Sequence, residues 1–187
     1  IDYYLLDNKE FNDFFMKTSI FLLKMEFSND LYMMDNFLGE LYDYDGVGLK
    51  IFENKDFIMN IFKIKGNQST YLFEILSDAL KNDREVVLAA VKNNGINLKN
   101  VSENFKNDRE IVLAAVTNRG KALNYASENF KNDREIVLTA IKNIGIALFH
   151  ASEDLQNDRG MVLAAVRSYG YVLKYLNENF KNDREIV

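Results

Sequence analysis

The 187-residue chain has no cysteine, no proline, no tryptophan and a single histidine, His150. Without cysteine there is no disulfide framework, no thiolate metal site and no thiol nucleophile. One histidine excludes a metal cluster or catalytic relay built on several. Without proline, only glycine and polar turns remain to end helices, and the nine glycines are few. The composition therefore favours an all-helical chain. Long apolar runs are also lacking. The stretch FFMKTSIFLL at 14–23 is interrupted by Lys17 and falls short of the roughly 18 residues needed to cross a bilayer. No small-residue cleavage site follows it. No membrane partner is expected, and the cytoplasm is the expected compartment. The chain begins with Ile and stops inside a repeated motif, which predicts a longer parent protein with further repeats.

What is present is divided unevenly. Residues 1–80 carry 14 acidic and 7 basic side chains, net −7, whereas 81–187 carry 14 acidic and 16 basic, net +2. All seven arginines lie at or after Arg84, and ten of the fourteen phenylalanines lie before residue 80. Two compositions imply two units.

The string ENFKNDREIV occurs three times, at 103–112, 128–137 and 178–187. It belongs to a 25-residue repeat without gaps: 81–105, 106–130, 131–155, 156–180, and a partial copy at 181–187. Fixed periods of this size mark helical arrays. Each unit reads as two short helices. Asn82 is the expected N-cap, with Glu85 completing a capping box and Asp83 at the first helical position. Six apolar residues follow at 86–91, and Gly95 is expected to end the helix as a left-handed C′ residue. The second helix is expected from Ile96 to Glu103, with Leu98, Val101 and Phe105 on its buried stripe. A first helix only about 16 Å long is marginal alone in water, so neighbours must bury it. These features predict an all-α solenoid. Residues 54–80 read as a divergent repeat about two residues longer, and 1–53 as a helical N-terminal cap.

The NDRE-x-VLxAV…G…L…SENF unit resembles a short tandem-repeat family catalogued as a domain of unknown function, strongly over 81–187 and weakly over 54–80. It is also similar in style to leucine-rich-repeat-variant and HEAT-like arrays. The resemblance implies a helical repeat array and supplies no catalytic residues.

Two sets of positions stand out. The first is a ladder: Asp83/Arg84, Asp108/Arg109, Asp133/Arg134 and Asp158/Arg159, with Glu103, Glu128, Glu153 and Glu178 equally regular. An arginine in the first turn opposes the helix dipole, so each is expected to bridge that Glu or an Asp of the adjacent repeat. A row of anion-binding arginines is the weaker reading, because each arginine has an acidic neighbour. The second set varies while the core does not: repeat positions 14, 16, 19 and 20, at the inter-helix turn or the open face of the second helix. Their large members are Arg119, Tyr125, Phe149, His150, Tyr169, Tyr171 and Tyr175. Aromatics of this kind are enriched at binding hot spots. His150 fills a slot held by Asn or Tyr elsewhere and has no companion base or nucleophile. The DYDG at 43–46 fails the calcium-loop register and reads as an acidic turn.

The leading expectation is a non-enzymatic scaffold that binds an unidentified protein or peptide along these variable positions, with no catalytic residue, cofactor or metal. The alternatives are the targeting arm of an enzyme whose catalytic domain lies outside this sequence and, less favoured, an RNA-binding repeat. A net charge of +2 over the repeats is small for nucleic-acid affinity, which rests on many phosphate contacts.

Overall fold

A computed structural model describes residues 53–63 and 70–186. The expected cap over 1–53 and the DYDG turn lie outside the described residues, apart from Glu53. The chain divides into two compact units, Ile1–Asn67 and Gln68–Val187, so the boundary falls inside the expected divergent repeat. In the first unit, helix Lys55–Lys63 buries Ile58, Ile61 and Phe62.

The second unit is an all-α solenoid. Its first helices are Thr70–Ile75 and the single turn Asp78–Lys81. Then come four long helices of identical length: Arg84–Asn93, Arg109–Asn118, Arg134–Asn143 and Arg159–Ser168. The remainder of each unit departs from expectation. It is two pieces rather than one helix. A 3-10 helix (Gly95–Asn100, Gly120–Tyr125, Gly145–His150, Gly170–Tyr175) precedes a one-turn α-helix (Glu103–Lys106, Glu128–Lys131, Glu153–Gln156, Glu178–Lys181). The bend between them falls at an extended residue such as Val101. Ser102 and its counterparts then start the one-turn helix.

The long helices stand side by side as one layer and the 3-10 helices as a second, each long helix touching its own 3-10 helix and, from Arg109–Asn118 onward, that of the preceding repeat. The core follows from the sequence at positions i, i+1, i+4 and i+5. Ile111, Val112, Ala115 and Val116 are fully buried, and so are Ile136, Val137, Ala140 and Ile141. That spacing gives a wide apolar face, and the alanines let helices approach closely. From the second layer, Leu98, Leu123 and Leu148 enter the same core. Each such side chain contributes roughly 1.5–3 kcal/mol of burial.

Two expectations about helix ends are corrected. The N-cap is Asp83, not Asn82: the Glu85 and Val86 N–H groups donate to Asp83 Oδ1 at 3.0 and 3.2 Å, and Arg84 is the first helical residue. Asn82 instead closes the preceding turn, its Nδ2 donating to the Asp78 carbonyl at 2.9 Å. The glycine does not stop the helix by a left-handed turn. The helix ends at an extended Asn94 (φ −142°) whose N–H still donates to Ala90 O. Gly95, Gly120 and Gly145 are required by proximity: a Cβ there would lie 2.2, 2.4 and 2.3 Å from the carbonyl oxygens of Ala115, Ala140 and Ala165 in the next repeat.

Candidate functional site

Two side-chain systems run along the array, and they do different work. The first joins repeats. Arg84 reaches forward to the next repeat, donating through Nε to Asp108 Oδ2 (2.9 Å), through Nη2 to Asp108 Oδ1 (3.2 Å), and to Glu110 Oε2 (2.7 Å). Arg109 repeats this with Asp133 and Glu135, and Arg159 with Asp183 and Glu185. Arg134 grips Asp158 at 2.7 and 3.1 Å but meets glycine at position 160, where the other repeats carry glutamate. The forked geometry fits a planar guanidinium to a carboxylate. Of the two acceptors expected from sequence, the arginines take the Asp. Glu103, Glu128 and Glu178 pair within their own turn, with Lys106 (2.7 Å), Lys131 (2.8 Å) and Lys181 (3.0 Å). The reason is reach: they stand on a separate one-turn helix, while the next Asp caps the neighbouring long helix.

Each of these Asp side chains therefore serves twice, as N-cap and as counter-ion. The Arg84 hydrogen bond, assisted by the Ile111 and Glu110 N–H groups, holds Asp108 below the usual carboxylate range against the opposing effect of burial. The arginines are raised in turn, led by the same hydrogen bonds. Restoring the missing rung by Gly160→Glu should raise the unfolding midpoint. The helix gains roughly 0.5–1 kcal/mol from losing a first-turn glycine, and Arg134 gains its second carboxylate. Thermal melting checks this; an unchanged midpoint would count against the rung.

A further joint was missed in the sequence. Asn118 Nδ2 donates to the Lys92 carbonyl at 2.9 Å, and its Oδ1 accepts from the Gly95 N–H at 2.8 Å. Asn143 does the same with Thr117 O (3.0 Å) and Gly120 N–H (2.8 Å). The signal was available: asparagine recurs at 93, 118 and 143, two residues before each glycine, with Ser168 in the fourth copy.

The second system is the variable set, and it lies on the 3-10 layer. The 3-10 helices stack side by side, which brings positions from successive repeats together. Tyr169, Tyr171 and Tyr175 are 46%, 50% and 57% exposed. Tyr169 and Tyr171 have ring centroids 6.0 Å apart, Tyr171 and Tyr175 5.5 Å, and Phe149 and Tyr175 6.0 Å edge-to-face. Four rings thus form one chain across two repeats. Lys174 Nζ sits over Tyr171 and Tyr175, 5.5 and 5.9 Å from their centroids. The Tyr171 phenol is shifted down, first by the hydrogen bond it accepts from Tyr175 and then by that from Lys174, and Tyr175 is shifted up as the donor. Tyr125 and His150 are half-buried at the same register of earlier repeats, and Arg119 is exposed. The four rings in contact do not include Tyr125. His150 is pushed down, first by burial and then by the charges of Lys131 and Lys121. One position is not surface at all: Asn94 is 6% exposed, its side chain accepting from the Ile96 N–H at 3.1 Å.

Among the described residues, no group of three His, Asp or Glu side chains is placed to hold a metal ion. No described helix is long and apolar enough to cross a membrane. No curated protein and no solved structure gives a significant match to the chain. One family model does, a domain of unknown function, DUF4116, which matches in four tandem segments at 54–106, 83–131, 108–156 and 158–187. The last three segments start one and two 25-residue repeats apart, at 83, 108 and 158, and together the four span well over half of the chain. This protein therefore belongs to the DUF4116 family of helical repeats.

Proposed function

We propose that the array is a non-enzymatic scaffold that binds a protein or peptide along its 3-10 layer. The observation that carries this is the chain of rings formed by the half-buried Phe149 and the exposed Tyr175, Tyr171 and Tyr169, built entirely from positions that differ between otherwise near-identical repeats. Solenoids bind by varying surface residues on a fixed frame. Tyrosine offers a large contact area with little side-chain freedom to lose and a hydroxyl for orientation. The core and most of the joints recur from repeat to repeat, with Gly160 and Ser168 as the departures, and supply the frame on which the ridge varies. No residue is assigned a chemical step.

The test is the double variant Tyr125→Ala/Tyr175→Ala. With the wild-type chain as bait, a recovered partner should be lost by about tenfold or more, as two hot-spot aromatics at about 1–2 kcal/mol each would give. The far-UV circular dichroism should be unchanged. Equal recovery by both baits sinks the ridge.

A further inference from the structure

The third one-turn helix breaks the pattern of its sisters, and a hollow lies beside it. In the other three, a lysine follows the first glutamate by three residues and neutralises it. At 153–156 the lysine is replaced by Gln156. Its Nε2 turns inward, donating to the Ala151 carbonyl at 2.8 Å. Among the described residues no lysine or arginine reaches the Glu153 carboxylate. In the same turn Leu155 stands where the sisters have phenylalanine. Beside this turn, between the third and fourth repeats, lies an open hollow of about 480 Å³, lined by Phe149, Tyr175 and Phe180 together with Glu153, Asn157 and Asn177. That volume lies in the range of ligand sites, about 300–1,000 Å³.

Aromatic walls with a single carboxylate are the chemistry that holds a cation: the rings attract it electrostatically, and the carboxylate supplies charge and acceptors. The Asn157 amide, its Nδ2 fixed on the Glu153 carbonyl at 3.0 Å, adds a carbonyl acceptor for the N–H groups of the cation, while the Asn177 oxygen is taken by the Phe180 N–H at 3.2 Å. Lys174 contacts Tyr175 but is not part of the wall. We propose that this hollow receives a lysine or arginine side chain of the bound peptide, and so makes the scaffold select a basic partner. The inference rests on the ridge reading above, since Phe149 and Tyr175 belong to both.

The two are separable by experiment. Nitrogen-15-labelled protein is titrated with N-acetyl-arginine amide, N-acetyl-lysine amide and, as the uncharged control, N-acetyl-norleucine amide. The basic probes should shift the side-chain amides of Asn157, Asn177 and Gln156 with saturation, and norleucine should not. Glu153→Gln should weaken the basic probes severalfold. Gln156→Lys, which restores the lysine of the other repeats, should close the site while leaving the circular dichroism unchanged. Equal shifts from norleucine, or wild-type titrations in both variants, overturn the proposal. If Gln156→Lys retains a captured partner that Tyr125→Ala/Tyr175→Ala loses, the pocket is wrong and the ridge stands. If the probes bind as expected and the alanine pair changes nothing, the ridge is wrong and the hollow is an isolated cation site.

Discussion

Replacing Gly120 by alanine should destabilise the array by several kcal/mol. The added Cβ would lie 2.4 Å from the Ala140 carbonyl oxygen and 3.0 Å from Ile144 Cγ2. A flexible side chain could swing away; a carbonyl in the middle of a buried helix cannot. The second 3-10 helix and the third long helix must therefore move apart, which loosens Ala140 and Ile141 in the core and pulls the Gly120 N–H off Asn143. Overpacking costs typically 1–3 kcal/mol, and the strained hydrogen bond adds about 0.5–1.5 kcal/mol. A fall in melting temperature of roughly 5–10 °C follows for a domain of this size. Gly170→Ala is the control. It holds the same place in the fourth repeat, but nothing lies within 4 Å of its added Cβ. It should melt at or slightly above the wild-type temperature, since alanine restricts the unfolded chain. If Gly120→Ala melts with the wild type, close approach is not what keeps the glycines in place.

The second large effect is the loss of Asp133. Its Oδ1 accepts from the Glu135 and Ile136 N–H groups at 3.0 and 3.1 Å, and its other oxygen accepts from Arg109. Asp133→Ala removes a cap, about 0.5–2 kcal/mol by itself, and leaves Arg109 of the preceding repeat with Glu135 as its remaining carboxylate. Acid should reproduce part of this in the wild type. Burial pulls Asp133 upward, but the Arg109 and Ile136 hydrogen bonds outweigh it and leave the group below its ordinary 3.8. Asp108, Asp158 and Asp183 are lowered too, led in each case by the arginine's hydrogen bond. A carboxyl whose folded value is depressed stabilises the fold above its unfolded value, and that contribution is lost as pH falls through the folded one. The urea midpoint should hold level from pH 7 to about 5 and then drop below about pH 4. Asp133→Asn, which keeps a capping oxygen without the charge, should start lower and fall less steeply. A parallel fall in wild type and Asp133→Asn would show that this rung does not contribute to acid sensitivity.

The helical class, the 25-residue period and the buried positions of the long helix were legible because burial imposes a pattern on every copy. The forward reach of the arginines was half legible. A cation in a first turn demanded an acceptor, but choosing between Asp and Glu required knowing which helix the Glu stood on. The 3-10 helices were not legible. Over six residues, apolar spacings of three and four suit a 3-10 helix followed by a bend as well as an α-helix. The caps were displaced by one residue because Asn82 and Asp83 are both good caps, and only the hydrogen bonds choose between them. The glycines misled in a different way. A glycine after an apolar run reads as a local stop signal, whereas here the constraint comes from a carbonyl 20 residues later. The variable positions were found as a set. What turned them into a candidate site, the ring contacts between repeats, depends on stacking that no single repeat encodes.

The joints also have a direction. The Arg84 guanidinium, the Gly95 N–H and the bare side of Gly95 are all completed by the following repeat, through Asp108, Asn118 and Ala115. A ribosome delivers the repeats in the opposite order of need. Each one leaves the exit tunnel unfinished and waits for the next 25 residues, a delay on the order of a few seconds at typical elongation rates. The newest repeat in a growing chain is therefore always the least stable one, and chaperone engagement should track that advancing edge rather than any fixed segment.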